Sequence, residues 1–151
     1  MEAESLRGLF QILTRRFGFL NKNCCNAGGK EISLVQSHIL YEIERQHNPS
    51  IQQIADTLGT DITTFSRQVQ SLIKIDLVKK TPDVLDRRIS ILSLTEEGKE
   101  INEMIDQQMN DYLNEIFSNM NEFEKETVIR SLKLLNERML KSSVCCTPPL
   151  R

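Results

Sequence analysis

The side chains with the clearest shared chemistry lie between positions 63 and 88: Thr63, Thr64, Ser66, Arg67, Gln70 and Lys74, then Asp86, Arg87 and Arg88. The first six are hydroxyls, an amide and two cations, with no carboxylate and no apolar anchor among them. Such a face suits phosphate oxygens and the hydrogen-bonding edges of bases better than it suits a protein surface. A merely solvated helix face has a similar make-up, so charge must help decide. Between Thr63 and Arg88 stand six Lys or Arg (Arg67, Lys74, Lys79, Lys80, Arg87, Arg88) against three Asp (Asp76, Asp83, Asp86), a local +3 in a chain of net charge −2. A basic island on an acidic protein is the footprint of phosphate attraction.

The four cysteines are the second group with chemistry of their own. They form two adjacent pairs, Cys24-Cys25 and Cys145-Cys146. Neighbouring Cα atoms stand about 3.8 Å apart, short of the roughly 4.4 to 6.8 Å that a disulfide spans, so a bridge within a pair would be strained. Free cysteine is often a small buried hydrophobe, but the polar neighbours Asn23, Asn26, Ser143 and Thr147 argue against deep burial. Two expectations follow: three or four thiolates gripping a soft metal or a metalloid such as trivalent arsenic, or thiols that oxidise across the pairs, the metalloid preferred. There is no C-x-x-C spacing to strengthen either. His38 and His47 are the only histidines, in no zinc-binding spacing, and are expected to be structural or surface residues.

The elements that must position these groups are legible from periodicity. After Pro49, Ser50 can cap a helix bearing Ile51, Ile54, Ala55 and Leu58, and Gly59 ends it. Asp61 can cap the next, whose buried stripe is Phe65, Val69, Leu72 and Ile73 and whose outward side carries the six polar residues. Two β-rich runs, Val78 to Thr81 and Arg88 to Leu94, flank the turn Pro82 to Arg87 and predict a hairpin with a basic tip. Upstream, Leu6, Leu9, Phe10, Leu13, Phe17 and Leu20, widened by Ile12 and Phe19, predict a helix over 3–22 with a band broader than one small domain needs, hence a second subunit. A polar break over Asn21 to Gly29 precedes a helix capped by Ser33 and running to His47. Downstream, Thr95 caps a long helix with Glu96 and Glu97 in its first turn and one apolar stripe from Ile101 to Met120. Asn121 and Glu124 form a capping box for the last helix, with Val128, Ile129, Leu132, Leu135 and Met139 on its buried side. From Thr95 to Leu140 eleven acids face five bases, and a net −6 will not seek DNA.

Helix, turn, helix, then a hairpin with DRRIS, then SLTEEGKE resembles the MarR family of bacterial winged-helix transcription regulators, over roughly residues 6–140. The D-x-R wing leading into L-T-x-x-G carries the resemblance most specifically. It implies a mainly α fold: a winged helix-turn-helix with a two-stranded wing over about 33–94, plus an N- and C-terminal helical dimerisation lobe from about 3–22 and 95–140. These would form one domain over 1–141, followed by a mobile Cys-containing tail over 142–151. It also implies that Thr63, Thr64, Ser66 and Arg67 meet the major groove or its phosphates, while Arg88, oriented by Asp86 and flanked by Arg87, enters or lines the minor groove. Ile62 stands where the family often has a polar residue.

The expected function is therefore sequence-specific binding of double-stranded DNA by a homodimer that regulates, and represses, transcription at a palindromic operator. Two reading heads about 34 Å apart would meet successive major grooves, and a thiol-reactive effector at Cys24, Cys25, Cys145 and Cys146 would relieve repression. No cofactor is required on this reading. No apolar run approaches the roughly 20 residues of a membrane span, which points to the cytoplasm. Enzymatic signatures such as a phosphate loop or a nucleophile with a positioned histidine are missing. The alternatives are a small thiol-disulfide redox protein, or a winged helix used for protein contact.

Overall fold

The computed structural model describes residues 5–18 and 23–141, the side chains of 23–25 excepted. In chain order the elements are α1 (Leu6–Phe17), β1 (Asn23–Ala27), β2 (Lys30–Ser33), α2 (Leu34–Gln46), α3 (Ile51–Leu58), α4 (Ile62–Lys74), β3 (Val78–Pro82), β4 (Ser90–Leu94), α5 (Glu96–Ser118) and α6 (Glu122–Leu140). The fold is mainly helical, with β1–β2 and β3–β4 as two separate antiparallel pairs.

Local chemistry places the helix starts. Ser33, Ser50, Asp61, Thr95 and Asn121 all sit in extended backbone and accept an amide hydrogen bond from the first turn; Ser33, Ser50 and Asn121 complete reciprocal capping boxes with Gln36, Gln53 and Glu124. Helix α2 is the central post, packing against α3, α4, α5, β4 and the β1–β2 pair. Its Ile39, Leu40 and Ile43 join Ile54, Phe65, Val69, Leu72, Leu77, Leu92 and Ile101 in one core. Ile73, expected in the stripe, is only partly buried against it.

Three expectations are corrected. The first helix does not run to residue 22: at Gly18 the backbone turns left-handed (φ 90°) and its N–H closes onto the Arg15 carbonyl. Phe19 and Leu20 lie outside the described residues. The polar break over 21–29 instead holds strand β1 and the turn Gly28-Gly29, both at positive φ, because Ala27 and Ile32 are buried in the core and carry the flanking chain into a hairpin. The second wing strand begins at Ser90 rather than Arg88, since the Asp86 carboxylate takes the Arg88 N–H and the Asp86 carbonyl takes that of Ile89.

The long stripe on α5 reaches the core only through Ile101 and Ile105. Farther along, Tyr112 and Ile116 are exposed, while α1 and α6 bury no residue at all. Among the described residues no helix is long and apolar enough to cross a membrane.

Candidate nucleic-acid interface

The α3–α4 turn is set by Gly59 at φ 62°, whose N–H and that of Thr60 reach back to the Asp56 and Ala55 carbonyls. Asp61 then opens α4, its Oδ1 accepting from the Thr64 N–H at 3.0 Å. That backbone hydrogen bond, with further donors from Thr64 and Thr63 and the charge of Arg67, holds the Asp61 carboxyl below its usual range. Because Phe65, Val69 and Leu72 are locked in the core, the opposite side of α4 must face outward. There Thr63, Ser66, Arg67, Gln70 and Lys74 line one shallow concavity, joined by Ile62 and Ser71. Thr64 is exposed but lies off this concavity, its amide engaged by Asp61. Ile62 is 45% exposed, so the apolar residue that departs from the family habit lies on the presented face. Polar periodicity pointed away from Ile62, and nothing local marked Ser71.

The wing holds its cations differently. Strands β3 and β4 pair from Val78↔Leu94 to Pro82↔Ser90, and the tip is closed by the Asp83 N–H on the Ile89 carbonyl at 2.8 Å. Within that tip Arg88 donates Nε to Asp86 Oδ1 and Nη2 to Oδ2, both at 3.0 Å, while its own N–H meets Oδ1 at 3.1 Å. This bidentate fork fixes the guanidinium plane although the side chain is 90% exposed. The Arg88 side-chain hydrogen bond, reinforced by its backbone one, holds the Asp86 carboxyl down, and the Asp86 carboxylate in turn raises Arg88. Arg87, next in sequence, is exposed, as are Lys79 and Lys80 on β3.

Outside α4 and the wing, Glu42 on α2 is almost buried. Burial pushes its pKa up, but hydrogen bonds from Arg45 and Gln46, with the charges of Arg45 and His38, outweigh this and leave it lowered. Gln46 Nε2 bridges Glu42 and Thr57 Oγ1, at 2.8 and 3.1 Å, tying α2 to α3. Glu42 also borders a hollow of about 450 Å³ between α1, α2 and α5, with Phe17, Leu34, Tyr41, His38 and Asp106 in its walls. Sequence spacing gave no sign of this hollow, nor of His38 at its edge. His47 is exposed.

Among the described residues no group of three His, Cys, Asp or Glu could hold a metal ion. Of the cysteines, Cys24 and Cys25 are described only as backbone of β1, where Cys25 pairs with Ile32, and Cys145 and Cys146 lie outside the described residues.

The family model that matches, MarR family, covers residues 32–90, from within β2 to the first residue of β4. The HTH-type transcriptional regulator TcaR of Staphylococcus aureus is 29% identical over 111 residues, 72% of this chain and 73% of that protein. The HTH-type transcriptional regulator YybA of Bacillus subtilis is 27% identical over 101 residues, 66% of this chain and 67% of its own. Among solved structures, Streptococcus pneumoniae FabT in complex with DNA superposes with a TM-score of 0.76 at 20% identity, covering 88% of this chain and 96% of that one. With a polar outward face on α4, a basic hairpin whose arginine is clamped by an acid, a MarR-family match over residues 32–90 and these relatives, the chain is a MarR-like winged-helix DNA-binding regulator.

Proposed function

We propose that this chain is a transcriptional repressor that works as a symmetric homodimer on a palindromic operator, each copy setting α4 in a major groove and its wing in the adjoining minor groove. In that arrangement 1–141 acts as one domain, with 33–94 as the DNA lobe and the first helix and α5–α6 as the dimer lobe. The observation that carries the reading is the pairing of an Arg67-centred polar concavity with the pre-oriented Arg88 fork: two cationic devices on adjacent elements. Thr63, Thr64, Ser66, Gln70 and Lys74 complete the first, and Asp86 and Arg87 the second. The exposed apolar residues of α1 and α6, Leu9, Leu13, Leu132 and Leu134 among them, support the dimer. Selecting bound duplexes from a random pool tests the whole. Recovery of an inverted repeat whose binding weakens steeply with salt is expected; a pool without enrichment overturns it.

The same proposal includes relief of repression by a thiol-reactive effector, As(III) or an oxidant, at Cys24, Cys25, Cys145 and Cys146. Support comes from the position of β1, which docks against α5 and so joins the DNA lobe to the dimer lobe. Arsenite is expected to release operator from the wild type and not from a four-serine variant; equal responses overturn this part. A second effector route is favoured by the hollow beside α2, whose apolar walls and two carboxylates, Glu42 and Asp106, suit a small amphipathic molecule that is neutral or cationic.

A further inference from the structure

The end of α4 is held in a socket that no pattern in the sequence advertises. Helix α4 stops at Lys74; Asp76 takes φ 59°, and the Leu77 N–H returns to the Leu72 carbonyl at 3.0 Å. The last free carbonyls then find partners from other elements. Thr95, the cap of α5, donates its hydroxyl to the Asp76 carbonyl at 2.6 Å and its N–H to that of Leu77 at 3.1 Å. Lys30, the first residue of β2, donates Nζ to the Ile75 carbonyl at 2.7 Å. The same ammonium pairs with Glu97 Oε1 at 2.8 Å, in the first turn of α5.

We infer that Lys30 is a positioning residue for DNA recognition: a strut that fixes the pitch of the reading helix relative to α5. The inference rests on the reading of α4 as the groove-entering helix. A cation at a helix C-terminus is electrostatically favoured, and a charge-assisted hydrogen bond is stronger than a neutral one. What makes the contact a strut is the stiffness of its base. Ala27 and Ile32 on either side of Lys30 are buried, Gln108 Nε2 holds the Asn26 carbonyl at 3.1 Å, and a Cβ on Gly28 would come within 2.7 Å of Ile101 Cδ1, so the hairpin is pressed onto α5. The Lys30 side chain is about a quarter exposed, and its ammonium is directed at a carbonyl and a carboxylate within the protein. It acts on DNA through α4.

The test compares the full-length wild type with Lys30→Met, which keeps the apolar stem, and Lys30→Arg, which keeps a donor. Binding is measured on the selected operator and on a random duplex of equal length across a salt series, with the active fraction titrated in each preparation. Lys30→Met is expected to weaken operator binding roughly tenfold, the scale of one charge-assisted hydrogen bond, while random-duplex affinity stays within about twofold and the salt slope is unchanged. Lys30→Arg is expected to restore most of the loss. Equal loss on both duplexes with a lower active fraction means a purely structural role, and a salt slope smaller by about two, one for each copy of the dimer, means a direct phosphate contact; either overturns the inference. Unchanged operator affinity in Lys30→Met overturns it while the DNA reading stands. A wild type that does not distinguish operator from random duplex overturns the DNA reading itself, and this inference with it.

Discussion

Arg67 and Arg88 carry the same charge in different settings, and mutations should separate the two. Each replaced by Met is expected to lower the slope of log affinity against log salt by about two, one lost phosphate neutralisation in each copy of the dimer. Asp86→Ala leaves every cation in place and removes the fork that orients Arg88, together with the Oδ1 contact to the Arg88 N–H. Operator affinity is expected to fall while the slope holds, and an unchanged affinity would show that Arg88 needs no orientation. Glu42 adds a pH dependence whose sign is fixed by its lowered pKa. A carboxyl held down in the folded state stabilises it above the unfolded value, and the benefit is lost as pH falls through the folded value. Glu42→Gln is therefore expected to lose about 1–2 kcal/mol at pH 7. Its stability should then change less than the wild type's below roughly pH 4.3, the ordinary glutamate range. Urea titrations at pH 7 and pH 4 measure both, and parallel losses of stability for the two proteins would refute the role given to Glu42.

Elements differ in how far the sequence reveals them. Five helix starts were readable because a cap is a contact over three residues: Ser33, Ser50, Asp61, Thr95 and Asn121 meet their partners within one turn. The polar face of α4 was readable because Phe65, Val69 and Leu72 declare the opposite one. The β1–β2 hairpin was not, since Asn23 to Asn26 shows no alternation and its pairing depends on burial of Ala27 and Ile32 by distant helices. Lys30 was invisible for the same reason, its acceptor Ile75 being 45 positions away. Gly98 shows how such distant packing constrains a single residue. The L-T-x-x-G pattern marks it without giving the reason for a glycine: it is buried against the turn that follows α4, and a Cβ there would fall on the Leu77 carbonyl oxygen. Backbone cannot yield as a side-chain tip can, so Gly98→Ala is expected to destabilise by about 3 kcal/mol despite alanine's better helix propensity. A thermal midpoint equal to or above that of the wild type would contradict the close packing described.

At the scale of the whole molecule, charge and apolar surface are divided. The +3 segment from Thr63 to Arg88 lies on the reading helix and wing, and the −6 segment from Thr95 to Leu140 lies on α5 and α6. Repulsion from phosphates turns the acidic helices away from a bound duplex, leaving their apolar faces and that of α1 free to cover one another. Leu9 and Leu13 on α1 and Leu132 and Leu134 on α6 are between 47% and 53% exposed in one chain, a degree of exposure that a two-fold partner would relieve. Placing Glu at Leu9 and Leu132 together adds charge to both faces and touches no core residue. The variant is expected to sediment as a monomer, retain the helical signal of the wild type and bind a half-site as the wild type's single head does. On the full palindrome it should lose on the order of 100-fold, because two linked heads gain that much from effective concentration. Retention of wild-type affinity by a monomeric variant would mean that one head suffices, and the paired arrangement would have to be given up.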